Sequence, residues 1–251
     1  MNKVEIAHTQ TLDDIIMAVS FAEAAGDISL IYGDAGLGKT VSLKQYTRMH
    51  PDVIYIELKD CDKSVKGVCE KVLSCIGKLQ RGTDRVLVDA ITDYLTATPK
   101  LIIIDEAQHL SIRALENLRA INDVTESGIV LCGNPTVYDR MHGRGQAHFA
   151  QLYSRIGIRR HITEPSLEDI TAIFNPYALD KESLLYLHEL ALQRGGIRNC
   201  VKVLNIAFQF RDNEKEPLSI DHLQSAYQLR NANNNKRYRE SPLPILIIQP
   251  F

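Results

Sequence analysis

Three clusters of residues in this chain have the types and spacing to do chemistry. The first is Gly33-Asp34-Ala35-Gly36-Leu37-Gly38-Lys39-Thr40, which reads G-x-x-x-x-G-K-T. Such glycines let backbone N–H groups curl around a triphosphate, and a helix starting just after them adds the positive end of its dipole. Lys39 would reach the β- and γ-phosphates of ATP, and the Thr40 hydroxyl would ligate Mg²⁺. Val41 completes the cradle. The second cluster is the carboxylate pair Asp105-Glu106 after Leu101-Ile102-Ile103-Ile104. Asp105 would hold the Mg²⁺ shell through water, and Glu106 would polarise the attacking water. Alone, that pair would read as an acidic turn; beside a phosphate loop it reads as hydrolytic. The third is a scatter of single polar groups. Asn134, after Gly128-Ile129-Val130-Leu131-Cys132, is a candidate to position the lytic water, although Asn before Pro135 is also a good turn former. Arg155 has the makings of an arginine finger acting on a neighbouring subunit, against a solvated basic edge, which is the reading held for Arg159 and Arg160. Arg198, in Gly195-Gly196-Ile197-Arg198, either reaches back to the phosphates or sits in solvent at a helix start.

These groups need elements to position them. Ile28 to Tyr32 has the length and β-branched content of a buried strand, and Val41 to Met49 has helical spacing. Strand, glycine loop and helix therefore follow in the order a phosphate site requires. Val53 to Leu58 reads as a second strand, followed by helices over Val65 to Ile76 and Asp84 to Tyr94. The four apolar residues before Asp105 suit a central parallel strand buried on both faces, with the carboxylates at its C-terminal end, where open α/β sheets place ligand chemistry. The intervening strand argues against the simplest nucleotide-kinase layout and for an ATPase branch. A helix from Ser111 to about Asn122, the Gly128–Cys132 strand, a polar loop over Asp139 to Gly145, a helix from Gln146 to Tyr153 and a strand over Ile158 to Ile162 complete the sheet. Thr11, followed by Leu12-Asp13-Asp14, reads as the cap of a first helix that ends near Gly26.

Glu164-Pro165 marks a boundary. Ser166-x-x-Asp169 caps one helix; Leu184, Leu187, Leu190 and Ala191 stripe a second; Ile197 to Phe210 makes a third; and Ile220, Leu223 and Tyr227 lie on a fourth. The expected fold is α/β: a P-loop three-layer sandwich with a five-stranded parallel sheet in residues 1–164, and a small helical lid in residues 165–230. Residues 231–251 form a tail, polar and basic from Asn231 to Glu240 and then apolar, with strong β character over Ile245 to Ile248 and a need for a docking surface on the same subunit, a neighbour or a partner.

Composition narrows the function classes. A net charge of −2 means that any nucleic-acid contact must come from a local basic patch. The five cysteines are odd in number and never form C-x-x-C, so neither a zinc site nor a disulfide framework follows, and a reducing cytoplasm fits. No stretch is long enough to span a bilayer, so no membrane partner is expected.

In order along the chain stand GDAGLGKT, LIIIDEAQHL, GIVLCGNP, FAQLYSRIG and a helix headed GGIRN. This series resembles the AAA+ ATPases of DNA transposition, the family of the phage Mu B protein, and more distantly the target-selecting regulators of CRISPR-associated transposons. The likeness runs from about Val4, through Thr9-Gln10-Thr11, to about Leu229. The phosphate-loop motifs are generic to AAA+ proteins; IDEAQHL, GNPTVY and FAQLYSRI are more specific to the transposition branch. The resemblance implies an ATPase that forms a homo-oligomer, ring or filament, on double-stranded DNA when ATP is bound, and presents that DNA to a transposase. It places Asn134 on the first sensor, Arg155 on the finger and Arg198 on the second sensor. It places Lys66 and the Arg81-Gly82-Thr83 turn against the DNA backbone. Two departures limit it: there is no room for an N-terminal helix-turn-helix domain, and Gln108 stands where the phage protein has Asp, so no role is carried to that position. Competing readings are a nucleotide-switched scaffold with little turnover, and an AAA+ ATPase outside transposition, of the helicase-loader or secretion type.

Overall fold

The computed structural model describes residues 7–142, 155–211 and 216–231. The helix expected over Gln146 to Tyr153, nearly all of the Asn231–Glu240 stretch and the apolar tail lie outside the described residues. The described chain divides into two compact units. One comprises Thr11–Ala35 and Lys39–Thr163; the other gathers residues 7–10, Gly36–Gly38 and the chain from Glu164 on.

The first unit alternates helix and strand: α1 (Gln10–Ala25), β1 (Ile28–Gly33), α2 (Lys39–Met49), β2 (Ile54–Glu57), α3 (Val65–Cys75), α4 (Asp84–Ala97), β3 (Ile102–Asp105), α5 (Ile112–Thr125), β4 (Ile129–Gly133), α6 (Pro135–His142) and β5 (Ile156–Ile162). The five strands pair in parallel in the order β2-β3-β4-β1-β5. Burial follows from position in that order. Every residue of β3 and β4 is buried, as in a parallel strand covered by helices on both faces. Edge strands β2 and β5 alternate more and less buried residues. One core cluster runs through Leu30, Ile56, Val68, Leu95, Ile104, Leu118 and Leu131, and ties the sheet to α3, α4 and α5.

Placing β4 between β1 and β3 has a functional consequence. The strand that ends in the glycine loop and the strand that ends in Asp105 are not neighbours. The end of β4, Gly133 followed by Asn134, therefore sits between the two.

Two local expectations are corrected. Thr11 does not cap α1: the helix begins at Gln10 and Thr11 is buried within it. The Gln10 N–H donates instead to Asp169 Oδ1, 2.8 Å away. A carboxylate remote in sequence thus satisfies the orphan donor that a local cap would have taken. Residues 139–142 are helical, not loop, because Asn134-Pro135 is a helix start: Asn134 Oδ1 accepts the Thr136 N–H at 3.0 Å and proline opens the first turn.

The second unit holds α7 (Leu167–Phe174), α8 (Lys181–Ala191), α9 (Gly196–Ala207) and α10 (Ile220–Asn231). Ser166 and Asp169 form a reciprocal capping box on α7. Phe174, Leu187, Leu190, Cys200, Val203, Leu204 and Leu223 meet in a separate apolar cluster.

Candidate active site

The loop between β1 and α2 takes its path from two glycines. Gly36 and Gly38 have φ of 94° and 92°, values that a side chain would oppose. α2 starts at Lys39, whose side chain is only 9% exposed. Its ammonium donates to the carbonyl oxygens of Gly33 and Asp34, each 2.7 Å away. Burial holds the Lys39 ammonium below its ordinary pKa, opposed by the carboxylates of Asp105, Glu106 and Asp34. A cation that has lost much of its water needs such compensating partners, and phosphate oxygens are a further kind of anion it can pair with.

Asp105 ends β3 and is 1% exposed. Burial raises its carboxyl above the usual range, opposed by hydrogen bonds from the Thr40 hydroxyl, the Glu106 N–H and the Tyr55 hydroxyl. The Glu106 N–H lies 2.9 Å from Oδ1 and the Tyr55 hydroxyl 3.1 Å from Oδ2. Beside it, fully buried Cys132 has its thiol pushed well up by burial and then by the Asp105 charge, so it is a neutral wall of the site. Thr40 and Asp105, named from separate motifs of the sequence, thus lie close enough for the hydroxyl to favour the carboxylate. They are two hard oxygen donors of the kind Mg²⁺ takes alongside phosphate and water. No group of three or more His, Cys, Asp or Glu side chains that could hold a metal occurs among the described residues.

Glu106 has φ 57° and ψ 40°, the left-handed region, which costs a non-glycine residue about 1 to 2 kcal/mol. That conformation turns the chain sharply into a 3-10 turn over Ala107–His109, closed by the His109 N–H on the Glu106 carbonyl at 3.0 Å. The turn swings Gln108 alongside Glu106, and the Gln108 amide Nε2 donates to Glu106 Oε2. Gln108 Oε1 accepts the Asn134 N–H, 3.2 Å away. Asn134 thus lies at the site through its backbone, while its carboxamide oxygen caps α6. Sequence reasoning left Gln108 without a role; the only local signal was an amide two residues after the carboxylates.

Arg155, just before β5, lies 3.3 Å from Asp123 on α5, which also holds Arg119 at 3.2 Å. Within the helical unit, the Arg198 N–H donates to the Gly36 carbonyl at 3.4 Å, and the Arg198 side chain is exposed. Val41 is 40% exposed. Lys66 opens α3 and pairs with Glu70 at 3.8 Å; Arg81 and Thr83 are exposed just before α4. The α3–α4 arrangement bears on these last three. Asp84, the first residue of α4, raises the thiol of Cys69 in the first half of α3, second to burial. Lys78, after α3, lies 5.0 Å above the Tyr94 ring near the end of α4. The two helices therefore run side by side in the same sense, and residues 78–83 return Arg81 and Thr83 toward the end that carries Lys66.

Comparison with known proteins gives two family matches. Residues 23–141 match an AAA domain, and residues 154–229 match the Mu B transposition protein, C terminal. The ATP-dependent target DNA activator B of Escherichia phage D108 is 31% identical over 230 residues, covering 88% of this chain and 72% of the relative. The protein of the same description from Escherichia phage Mu gives the same identity and coverage. Among solved structures, domain III of the Thermotoga maritima replication initiation protein DnaA superposes with a TM-score of 0.58 at 16% identity, covering 89% of this chain and 93% of that one, a likeness of fold.

Proposed function

Because this chain belongs to the family of the Mu B transposition proteins, we propose that it is an ATPase that uses ATP to select target DNA for a transposase. One observation carries the chemical half of that reading: Lys39, Thr40, Asp105 and Glu106 converge where β1, β3 and β4 end. The loop 33–41 holds the triphosphate through its backbone N–H groups and Lys39. Thr40 and Asp105 hold Mg²⁺, which when bound supplies positive charge to the phosphate oxygens. Glu106 takes the proton of the attacking water. Asn134 orients that water or its phosphate partner, and Arg198 reports the bound nucleotide to the helical lid. Arg155 reaches the γ-phosphate of a neighbouring subunit. Residues 1–164 act as the ATPase core, 165–230 as the lid and 231–251 as a tail for docking.

DNA enters at the flank of α3 and α4. Lys66, Arg81 and Thr83 contact the backbone of double-stranded DNA without reading sequence. Each subunit makes few contacts, and a homo-oligomer, ring or filament, multiplies them. The assembly works in the cytoplasm; no helix among the described residues is long and apolar enough to cross a membrane.

Glu106→Gln tests this reading. The substitution keeps size and ATP binding and removes only the base, so turnover should fall about 10²-fold or more while the protein stays assembled on DNA. The measurement is steady-state phosphate release beside electron microscopy of protein, ATP and duplex DNA. Wild-type turnover would remove Glu106 from the mechanism, and loss of DNA assembly would break the separation of binding from hydrolysis.

A further inference from the structure

We propose that Gln108 is a positioning residue for Glu106, seated at the end of β4 in a space that only glycine at position 133 leaves open. This rests on Glu106 being the group that activates water. The observations are geometric. The Gln108 amide bridges two strand ends, its Nε2 on the Glu106 carboxylate and its Oε1 on the Asn134 N–H at 3.2 Å. The two partners also dictate which way the amide faces. A carboxylate only accepts and a backbone N–H only donates, so one orientation satisfies both and the flipped one satisfies neither. No hydrocarbon or carboxylate of similar size could do the same.

Gly133 makes the seat. A Cβ at that position would lie 2.6 Å from Gln108 Oε1, far inside contact distance, and 3.3 and 3.4 Å from the backbone nitrogens of Gln108 and Ala107. The first distance obliges the end of the Gln108 amide to move off its bridging position; the 3.3 Å approach asks for a shift of tenths of an ångström, and 3.4 Å is ordinary contact. Gly133 is thus matched to the Gln108 side chain more than to the backbone around it.

The consequence falls on the base. The terminal torsion of a glutamate is soft, so a carboxylate at a strand end sweeps a broad arc unless something holds it. Gln108 holds Oε2 and leaves Oε1 to meet water. It ties that carboxylate to the residue that begins α6, so a displacement of the β4–α6 joint would be passed to the base. A base misplaced by about 1 Å costs up to about a hundredfold in rate while leaving substrate binding alone.

The experiment compares Gln108→Ala, Gln108→Glu, Gly133→Ala and the double substitution Gly133→Ala/Gln108→Ala with the parent, each in the full chain with duplex DNA. Gln108→Glu keeps the size and loses the donor. Expected are kcat values about tenfold or more lower for all four, with KM for ATP and the Kd of a fluorescent ATP analogue within about twofold of the parent. The double substitution should be no slower than Gln108→Ala alone, because the added methyl then has nothing to displace. A packing defect would change KM and Kd and would add in the double. Parent-like kcat in Gln108→Ala and Gln108→Glu overturns the proposal, as does a rise in kcat, which would make the contact a brake. Additive losses overturn the role of Gly133. Glu106→Gln runs alongside: if it hydrolyses ATP normally, the failure lies in the reading of Glu106 and takes this proposal with it. If it is inactive while the Gln108 variants are normal, only the positioning idea fails.

Discussion

The ends of β1, β3 and β4 and the flank formed by α3 and α4 hold their polar groups in opposite ways. At the strand ends Lys39 has two carbonyl partners, Asp105 accepts from the Tyr55 hydroxyl and the Glu106 N–H, and Gln108 binds at both ends of its amide. On the flank Lys66 has Glu70 at 3.8 Å, a pairing of two half-exposed side chains four residues apart. Such a pair is worth about 0.3 to 0.5 kcal/mol. Thr83 occupies the N-cap position of α4 without its hydroxyl capping the helix. The first region is organised by contacts within the chain; in the proposed function the second is ordered by the DNA it meets. Hydrolytic geometry has to be held to fractions of an ångström, so the sheet supplies it. Phosphate backbones are met by charge, which tolerates mobile side chains.

The widest contrast is expected at Lys39. Lys39→Ala removes a desolvated cation from the centre of the organised region, so the Kd for a fluorescent ATP analogue should rise more than a hundredfold. ATP-dependent assembly on DNA, followed by electron microscopy, should be lost with it. Assembly that survives would mean that the flank does not depend on the loop.

A smaller effect is expected where neither description fits. The Arg155 side chain is 56% exposed and pairs with Asp123 of α5. If it completes a neighbour's site, a mixture of Arg155→Ala and Lys39→Ala proteins should recover part of the ATPase activity that each lacks, because one subunit brings the arginine and the other the loop. Activity equal to the sum of the two variants alone would place the arginine's action within one chain.

The smallest effect per subunit belongs to the flank. Replacing both Lys66 and Arg81 by alanine should lower the slope of log affinity against log salt by about 2 per subunit, and should weaken all duplex sequences alike. DNA-independent ATP turnover should stay within about twofold. A loss confined to some sequences would show base readout, and a loss of turnover would show that the flank is coupled to the strand ends.

What could be read in advance was local. A glycine loop is recognisable because its spacing is its mechanism, and Ile102–Asp105 is recognisable because a strand buried on both faces needs a continuous apolar run. The helices of the C-terminal unit show the same way, through period and caps. Two helix starts were misread. Thr11 and Asn134 belong to a residue class that both caps helices and makes turns; for α1 the deciding partner, Asp169, is far along the chain, and for Asn134 it is the Thr136 N–H two residues on.

By itself, then, the sequence determined the types and order of the described elements apart from α6, and it marked Lys39, Thr40, Asp105 and Glu106 as a candidate set, since each rests on spacing within a few residues. Only the tertiary structure decided that β4 lies between β1 and β3. That adjacency sets Gly133 against Gln108 and the Asn134 N–H against its amide. Residues some 25 positions apart meet there because strand order is set by how buried faces pack, and no local period records it.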